Sequence, residues 1–206
     1  MITVEINGEE RQYPQGATYE DVANDYQKEY DNLIALAARD GKIRELFKKL
    51  TRDCEITFFT LKDDVGNKTY VRSATMLFLK AVFDVFGRET VQNCRVEFAI
   101  GNGSYISPKG KINATEENAA KIRNRMRELV EAKTPFLKKS YSLDNAMELF
   151  RREGMKDKEK LFRYRRGSFV NIYEMDGYYD YYYGYMLPNA GYVKWFDVIA
   201  YEDGFM

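Results

Sequence analysis

The sequence predicts an α+β protein made of two successive units: a small β-rich unit over residues 1–62, and a larger unit over residues 69–206 with long helices against an antiparallel sheet. Three observations carry this. Period-two alternation and hairpin turn pairs fill the first sixty residues. Capped helical periodicity takes over from Ser73, and the stretch from Phe162 to Phe205 returns to strand-like sequence rich in tyrosine. With 206 residues, each unit is long enough to bury a core.

Ile2 to Ile6 alternates, Asn7-Gly8 is a hairpin signal and Glu9 to Tyr13 returns as a second strand. Pro14 and Gly16 break it. Thr18 with Asp21 three residues on caps a short helix whose inner face carries Tyr19, Val22, Ala23 and Tyr26. Leu33 to Ala38 reads as a buried strand, Asp40-Gly41 as a turn and Glu55 to Leu61 as the closing strand. That order within about sixty residues is that of a ubiquitin-like β-grasp. The polar run Lys62 to Lys68 reads as the boundary. Beyond it, Ser73 caps a helix to Phe86, stopped by Gly87, with too many apolar positions for an exposed face. Cys94 to Ile100 reads as a strand, Gly101-Asn102-Gly103 as a turn, Glu116 to Ala132 as a long helix, and Leu143 to Gly154 as a helix capped by Ser142.

The sequence contains no histidine, which removes the side chain that most often serves as a base near neutral pH. Cys54 and Cys94 stand far apart in strand-like runs, with neither disulfide-framework nor metal-ligand spacing, and two buried reduced thiols are expected. No metal site is expected. No apolar run approaches the roughly 20 residues of a membrane helix, and the N-terminus lacks export features, so a cytoplasmic, soluble protein is expected. The 32 basic and 32 acidic side chains cancel, yet residues 121–170 carry 15 basic against 7 acidic and residues 171–206 carry 1 against 6. Two readings of that basic block stay open: a solvated helix face, or a local site for phosphate or RNA backbone.

Several stretches together resemble the N-terminal half of threonyl-tRNA synthetases, a TGS domain followed by the second additional (editing) domain. KDDVG from Lys62 and YVRSATMLF from Tyr70 are similar to the approach to the family's HSxxHLL helix, Ile100 to Tyr105 to its NGxY turn, and LPNAG from Leu187 to its HVPNT. Arg125 to Glu131 extends the likeness. The resemblance places Arg72 and Met76 where two editing histidines would stand, Tyr182 and Met186 for the cysteine and histidine of a CxxxH motif, and Tyr105, Lys158 and Asp180 among pocket-lining residues. All four editing groups are thus replaced, and editing by the family mechanism is excluded on chemistry. A second resemblance, in Leu161 to Arg166, Asn171 to Tyr173 and Asp180 to Gly191, is to bacterial uridine (nucleoside) kinases that carry these two domains ahead of a P-loop kinase domain. It implies a fragment cut before that catalytic domain, which would be its downstream partner and would supply ATP and Mg chemistry; no cofactor is expected in this chain, which lacks GxxxxGK[ST].

The expected function is therefore a non-catalytic nucleotide- or RNA-binding regulatory module, with a hydrolase using Lys158 or Asp180, or an oligomerisation module, as alternatives. The run Tyr178 to Tyr185 reads either as sheet packing or as a stacking surface for a base, with Arg163, Arg165 and Arg166 holding phosphate. Arg72 either faces solvent, pairs with a carboxylate such as Asp180, or fixes an anion with Lys158 in a surviving pocket. The aligned positions Arg72, Lys158, Asp180, Tyr182 and Met186 are expected around one cleft.

Overall fold

The computed structural model describes every residue except Asn102 and Arg166. The N-terminal sheet forms from β1 (Ile2–Ile6), β2 (Glu9–Tyr13), β3 (Ile34–Arg39), β4 (Lys42–Glu45) and β5 (Cys54–Thr60), in the order β2-β1-β5-β3-β4. β1 and β5 run parallel at its centre; the other pairs are antiparallel. Helix α1 (Tyr19–Tyr26) begins with a reciprocal Thr18/Asp21 capping box and buries Tyr19, Val22, Ala23 and Tyr26 against the sheet's core. Asn7 and Asp40 both take positive φ ahead of glycine, the backbone that two-residue hairpins need.

β3 is buried on both faces. Ile34 and Ala37 belong to the N-terminal core, while Ala35 and Leu36 join the core of the larger unit, so the second unit covers the sheet's far face. The larger unit opens with α2 (Asp64–Phe86) and α3 (Arg88–Asn93), continues through β6 (Arg95–Ile100), β7 (Gly103–Ser107), α4 (Glu116–Glu131), β8 (Leu137–Ser142), α5 (Leu143–Arg152) and α6 (Lys156–Arg163), and closes with β9 (Phe169–Met175), β10 (Tyr178–Asp180), β11 (Ala200–Tyr201) and β12 (Gly204–Phe205). Its strands form two sheets, β10-β9-β8 and β11-β12-β7-β6. α2 is the central element, buried through Met76, Leu77, Ala81 and Val82 and packed on α4.

Several sequence expectations change. The polar run Lys62 to Lys68 leads into α2, which begins at Asp64 behind a tight turn in which Asp63 accepts from the Thr60 amide at 2.6 Å. Gly66 permits this, because a Cβ there would lie 2.0 Å from the Thr60 carbonyl oxygen. Ser73 is consequently interior to the helix and caps nothing; its hydroxyl back-bonds to Thr69 O at 2.8 Å. Phe162 lies in α6, and the tyrosine run is strand only as far as Asp180, so Tyr181, Tyr183 and Tyr185 do not continue an alternating strand face. The strand ends because the Asp180 carboxylate takes the Tyr181 amide at 2.7 Å. The turn at Asn102 lies outside the described residues.

Candidate functional site

Asp180 is the polar centre of the larger unit. It is buried, 5% exposed, and a buried carboxylate persists only with its charge paired and its oxygens hydrogen-bonded. Three donors converge on it: Lys158 Nζ at 3.1 Å, the Tyr181 amide and the Tyr178 hydroxyl at 3.1 Å. Lys158, on α6, also lies 3.3 Å from Asp157. Burial pulls the Lys158 pKa down, but the Asp180 and Asp157 carboxylates outweigh it, and the group stands above the ordinary lysine value. A hydrolytic lysine base needs the opposite shift. Asp180 thus has Lys158, not Arg72, as its ion-pair partner.

The Tyr182 hydroxyl is buried nearby without a hydrogen-bond partner among the described residues, and burial, then the Asp180 charge, hold its pKa well above the ordinary tyrosine value. A cavity of about 280 Å³ opens here, lined by Phe83, Gln92, Lys158, Asp180 and Tyr182 among others. A second, of about 350 Å³, lies across a wall made by Tyr181 and Tyr182 and is lined by Lys138, Arg165, Asn171 and Tyr181 to Tyr185. Arg165 Nη1 donates to the Tyr181 hydroxyl at 2.8 Å while the guanidinium sits 5.1 Å from the Phe162 ring centroid and 5.5 Å from that of Tyr181. This is a cation held against aromatic faces, whose remaining N–H groups have no partner among the described residues.

The other expected site residues disperse. Arg72 is half-buried, donates from Nη1 to Tyr185 O at 2.5 Å and occupies the space beside Gly184, so its guanidinium is spent on the chain itself. Met186 is fully buried beside Ser73, whose hydroxyl accepts from the Leu187 amide at 3.0 Å and lies 3.9 Å from Met186 Sδ. Met76 is fully buried in the core. Tyr105 belongs to the other sheet, its hydroxyl donating to Asp203 and its ring set between Phe98 and Tyr201. Arg163 is 60% exposed and only 3.9 Å from Glu159, outside both cavities, and Arg166 lies outside the described residues. The single cleft expected from the aligned positions is therefore replaced by two cavities. Lys158, Asp180 and Tyr182 share the first, while Arg72, set against the Gly184–Leu187 segment, and Met186, within it, line neither. The physical reason is that the apolar thioethers of Met76 and Met186 are buried in the core, while the Arg72 guanidinium is satisfied by the Tyr185 carbonyl.

Glu45 went unmarked in the sequence, where it is one charge at the end of a short strand. It is 2% exposed and receives Lys138 Nζ at 3.0 Å, the Met186 amide at 3.2 Å and the Tyr173 hydroxyl. A further basic feature lies at the junction of the two units. Lys48, Lys49, Lys133 and Lys194 are exposed, have no ion-pair partner among the described residues, and border two adjoining cavities of about 620 and 300 Å³. Among the described residues no group of three or more His, Cys, Asp or Glu side chains is placed to hold a metal ion, and no helix is long and apolar enough to cross a membrane. Both cysteines are free; burial pushes the Cys94 thiol up to about 11 and raises Cys54.

No protein-family model matches the chain. It is similar to threonine–tRNA ligases: 29% identical over 198 residues to that of Thermotoga maritima, covering 94% of this chain and 30% of the relative. The ligase of Maricaulis maris is 28% identical over 193 residues, and that of Carboxydothermus hydrogenoformans 25% over 201. The chain thus spans about 30% of the length of the curated relatives it matches.

Proposed function

We propose that the chain is a non-hydrolytic binding module for a nucleotide or an RNA end, built as a TGS-like β-grasp unit followed by a degenerate editing-like unit. The observation that carries this is the pair of cavities sharing the Tyr181–Tyr182 wall, which offer aromatic faces, the pair formed by buried Asp180 and half-buried Lys158, and the Arg165 guanidinium. Stacking on tyrosine and charge-assisted contacts to phosphate are the two terms from which nucleotide recognition is built. Lys158 and Tyr182 have raised pKa values and Cys94 stands at about 11, so none of these three is set to act as a base near neutral pH, and the sequence has no histidine to do so. The likeness to threonine–tRNA ligases supports RNA as the ligand class, and the unpaired lysines at the junction supply a surface for its backbone.

The test is direct. Incubation with mischarged threonine-accepting tRNA is expected to leave deacylation at background while the chain retards the tRNA or binds mononucleotide. Deacylation abolished by Lys158→Ala would establish the hydrolase instead. For the parent protein, the wording of Leu161 to Arg166 and Asp180 to Gly191 supports an ATP-dependent nucleoside kinase, whereas the relatives named above are ligases. The downstream reading frame decides: a GxxxxGK[ST] motif after a strand supports the kinase, and its absence from the gene overturns it.

A further inference from the structure

The second cavity holds a charge arrangement that its lining alone does not reveal. Two of its described lining side chains are cationic, Lys138 and Arg165. Lys138 is already neutralised, its Nζ lying 3.2 and 3.0 Å from the two oxygens of Glu45, a carboxylate brought in from β4 of the N-terminal unit. Glu45 also holds the cavity wall, because it accepts from the Met186 amide at 3.2 Å and from Tyr173, whose hydroxyl lies 2.9 Å from Gly184 O. Arg72, bonded to Tyr185 O behind the same wall, feels the Glu45 charge as well. Arg165 differs: its hydrogen-bond partner is the neutral Tyr181 hydroxyl, and it has no carboxylate within ion-pair distance among the described residues. A cation already paired with a buried carboxylate gains little from a ligand anion, whereas one without a carboxylate partner gains more, even where it is exposed as Arg165 is and water screens the attraction.

We propose that Glu45 is a specificity-determining residue that sets the charge this cavity accepts: by neutralising Lys138 it leaves Arg165 to meet one phosphate, so the cavity takes an aromatic base carrying a single phosphate in preference to a di- or triphosphate. This rests on the nucleotide-binding reading above and adds to it the phosphate count and the unit that controls it. Removing the Glu45 charge frees Lys138 as a second cation of the lining, which favours polyphosphates. Removing Lys138 leaves the carboxylate in excess, which disfavours them further. A merely structural role for Glu45 would weaken all ligands alike.

The experiment is calorimetric titration of the full chain with the mono-, di- and triphosphates of adenosine and uridine, without divalent cations, for the native protein, Glu45→Gln and Lys138→Met. The native chain is expected to bind monophosphate at least as tightly as triphosphate. Glu45→Gln should shift the ratio toward triphosphate by about tenfold or more, and Lys138→Met should shift it the other way. Circular dichroism and thermal melting establish that each variant is folded, and Lys138→Met carries the test if Glu45→Gln is not. A native preference for triphosphate of about tenfold, or an unchanged ratio in folded variants, overturns the role of Glu45 while leaving nucleotide binding in place. A native chain that binds none of the six nucleotides overturns the nucleotide-binding reading and this inference with it.

Discussion

Replacing Gly184 by alanine probes the segment that walls the second cavity. Gly184 has φ +126, and a Cβ there would stand 2.7 Å from Arg72 Cζ and 2.8 Å from Nη1. Two costs follow. The backbone conformation suits glycine alone, which costs about 1–3 kcal/mol. The guanidinium must also withdraw, losing its bond to Tyr185 O, a charge-assisted hydrogen bond worth about 1.5–3 kcal/mol. The sum is about 2.5–6 kcal/mol, at the large end for a point substitution. Gly177→Ala separates the terms, since Gly177 also has positive φ, +79, but nothing within 4 Å of its would-be Cβ; it should show the backbone cost alone. In urea unfolding of Gly184→Ala, Arg72→Ala and the double variant, the double variant should be more stable than additivity predicts by about 1.5–3 kcal/mol, because the displaced bond is lost only once. Strict additivity would mean that Arg72 does not occupy the space beside Gly184, and would refute the packing on which the wall's description depends.

Three further outcomes are expected. Stability should be nearly flat from about pH 6 to 8, since there is no histidine to titrate, should begin to fall near pH 9, where the unfolded chain ionises cysteine while burial holds the Cys94 thiol at about 11, and should fall more steeply above about pH 10. Burial first, with nearby carboxylates, raises Tyr173, Tyr178 and Tyr182 above 10.0 when folded, so the unfolded chain releases protons first and stability present below pH 10 is lost as pH rises; tyrosinate absorbance should appear together with loss of the native circular dichroism, and ionisation of all tyrosines in a native fold would contradict this. Asp180→Asn should destabilise by about 1.5–3 kcal/mol, because it removes the main counter-ion of a partly buried Lys158 that keeps only Asp157, and the double variant with Lys158→Met should recover part of that loss in thermal melting. If the lysines at the junction carry RNA backbone, Lys48→Glu with Lys49→Glu should lower the slope of log affinity for a hairpin RNA against log salt by about 2, measured by fluorescence anisotropy. An unchanged slope would place the RNA elsewhere.

The tyrosine-rich run shows how local sequence misleads about a site. Alternation over Tyr178 to Tyr185 spells a strand with two aromatic faces, but Asp180 turns its carboxylate onto the next amide and ends the strand there. The result is a folded-back wall between two cavities, not a flat stacking surface. Likewise Ser73 has the residue type of a helix cap, yet the helix begins at Asp64, because Gly66 lets the chain turn tightly against Thr60. Residue type sets what a side chain can do, and packing chooses among the options.

What the sequence determined by itself was whatever depends on near neighbours or on composition. Hairpins at Asn7-Gly8 and Asp40-Gly41, the Thr18 and Ser142 caps and the Gly87 stop all arise from contacts within a few residues, and the missing imidazole follows from a count. Only the tertiary structure decided the partners of the buried charges. Lys158 meets Asp180 across 22 positions, and Glu45 meets Lys138, Tyr173 and Met186 across 93 to 141 positions. Coulombic pairing in a buried site acts over a few ångströms whatever the sequence separation, so the Lys158–Asp180 pair is settled by the folding of the larger unit, and the partners of Glu45 by the closing of the two units on one another.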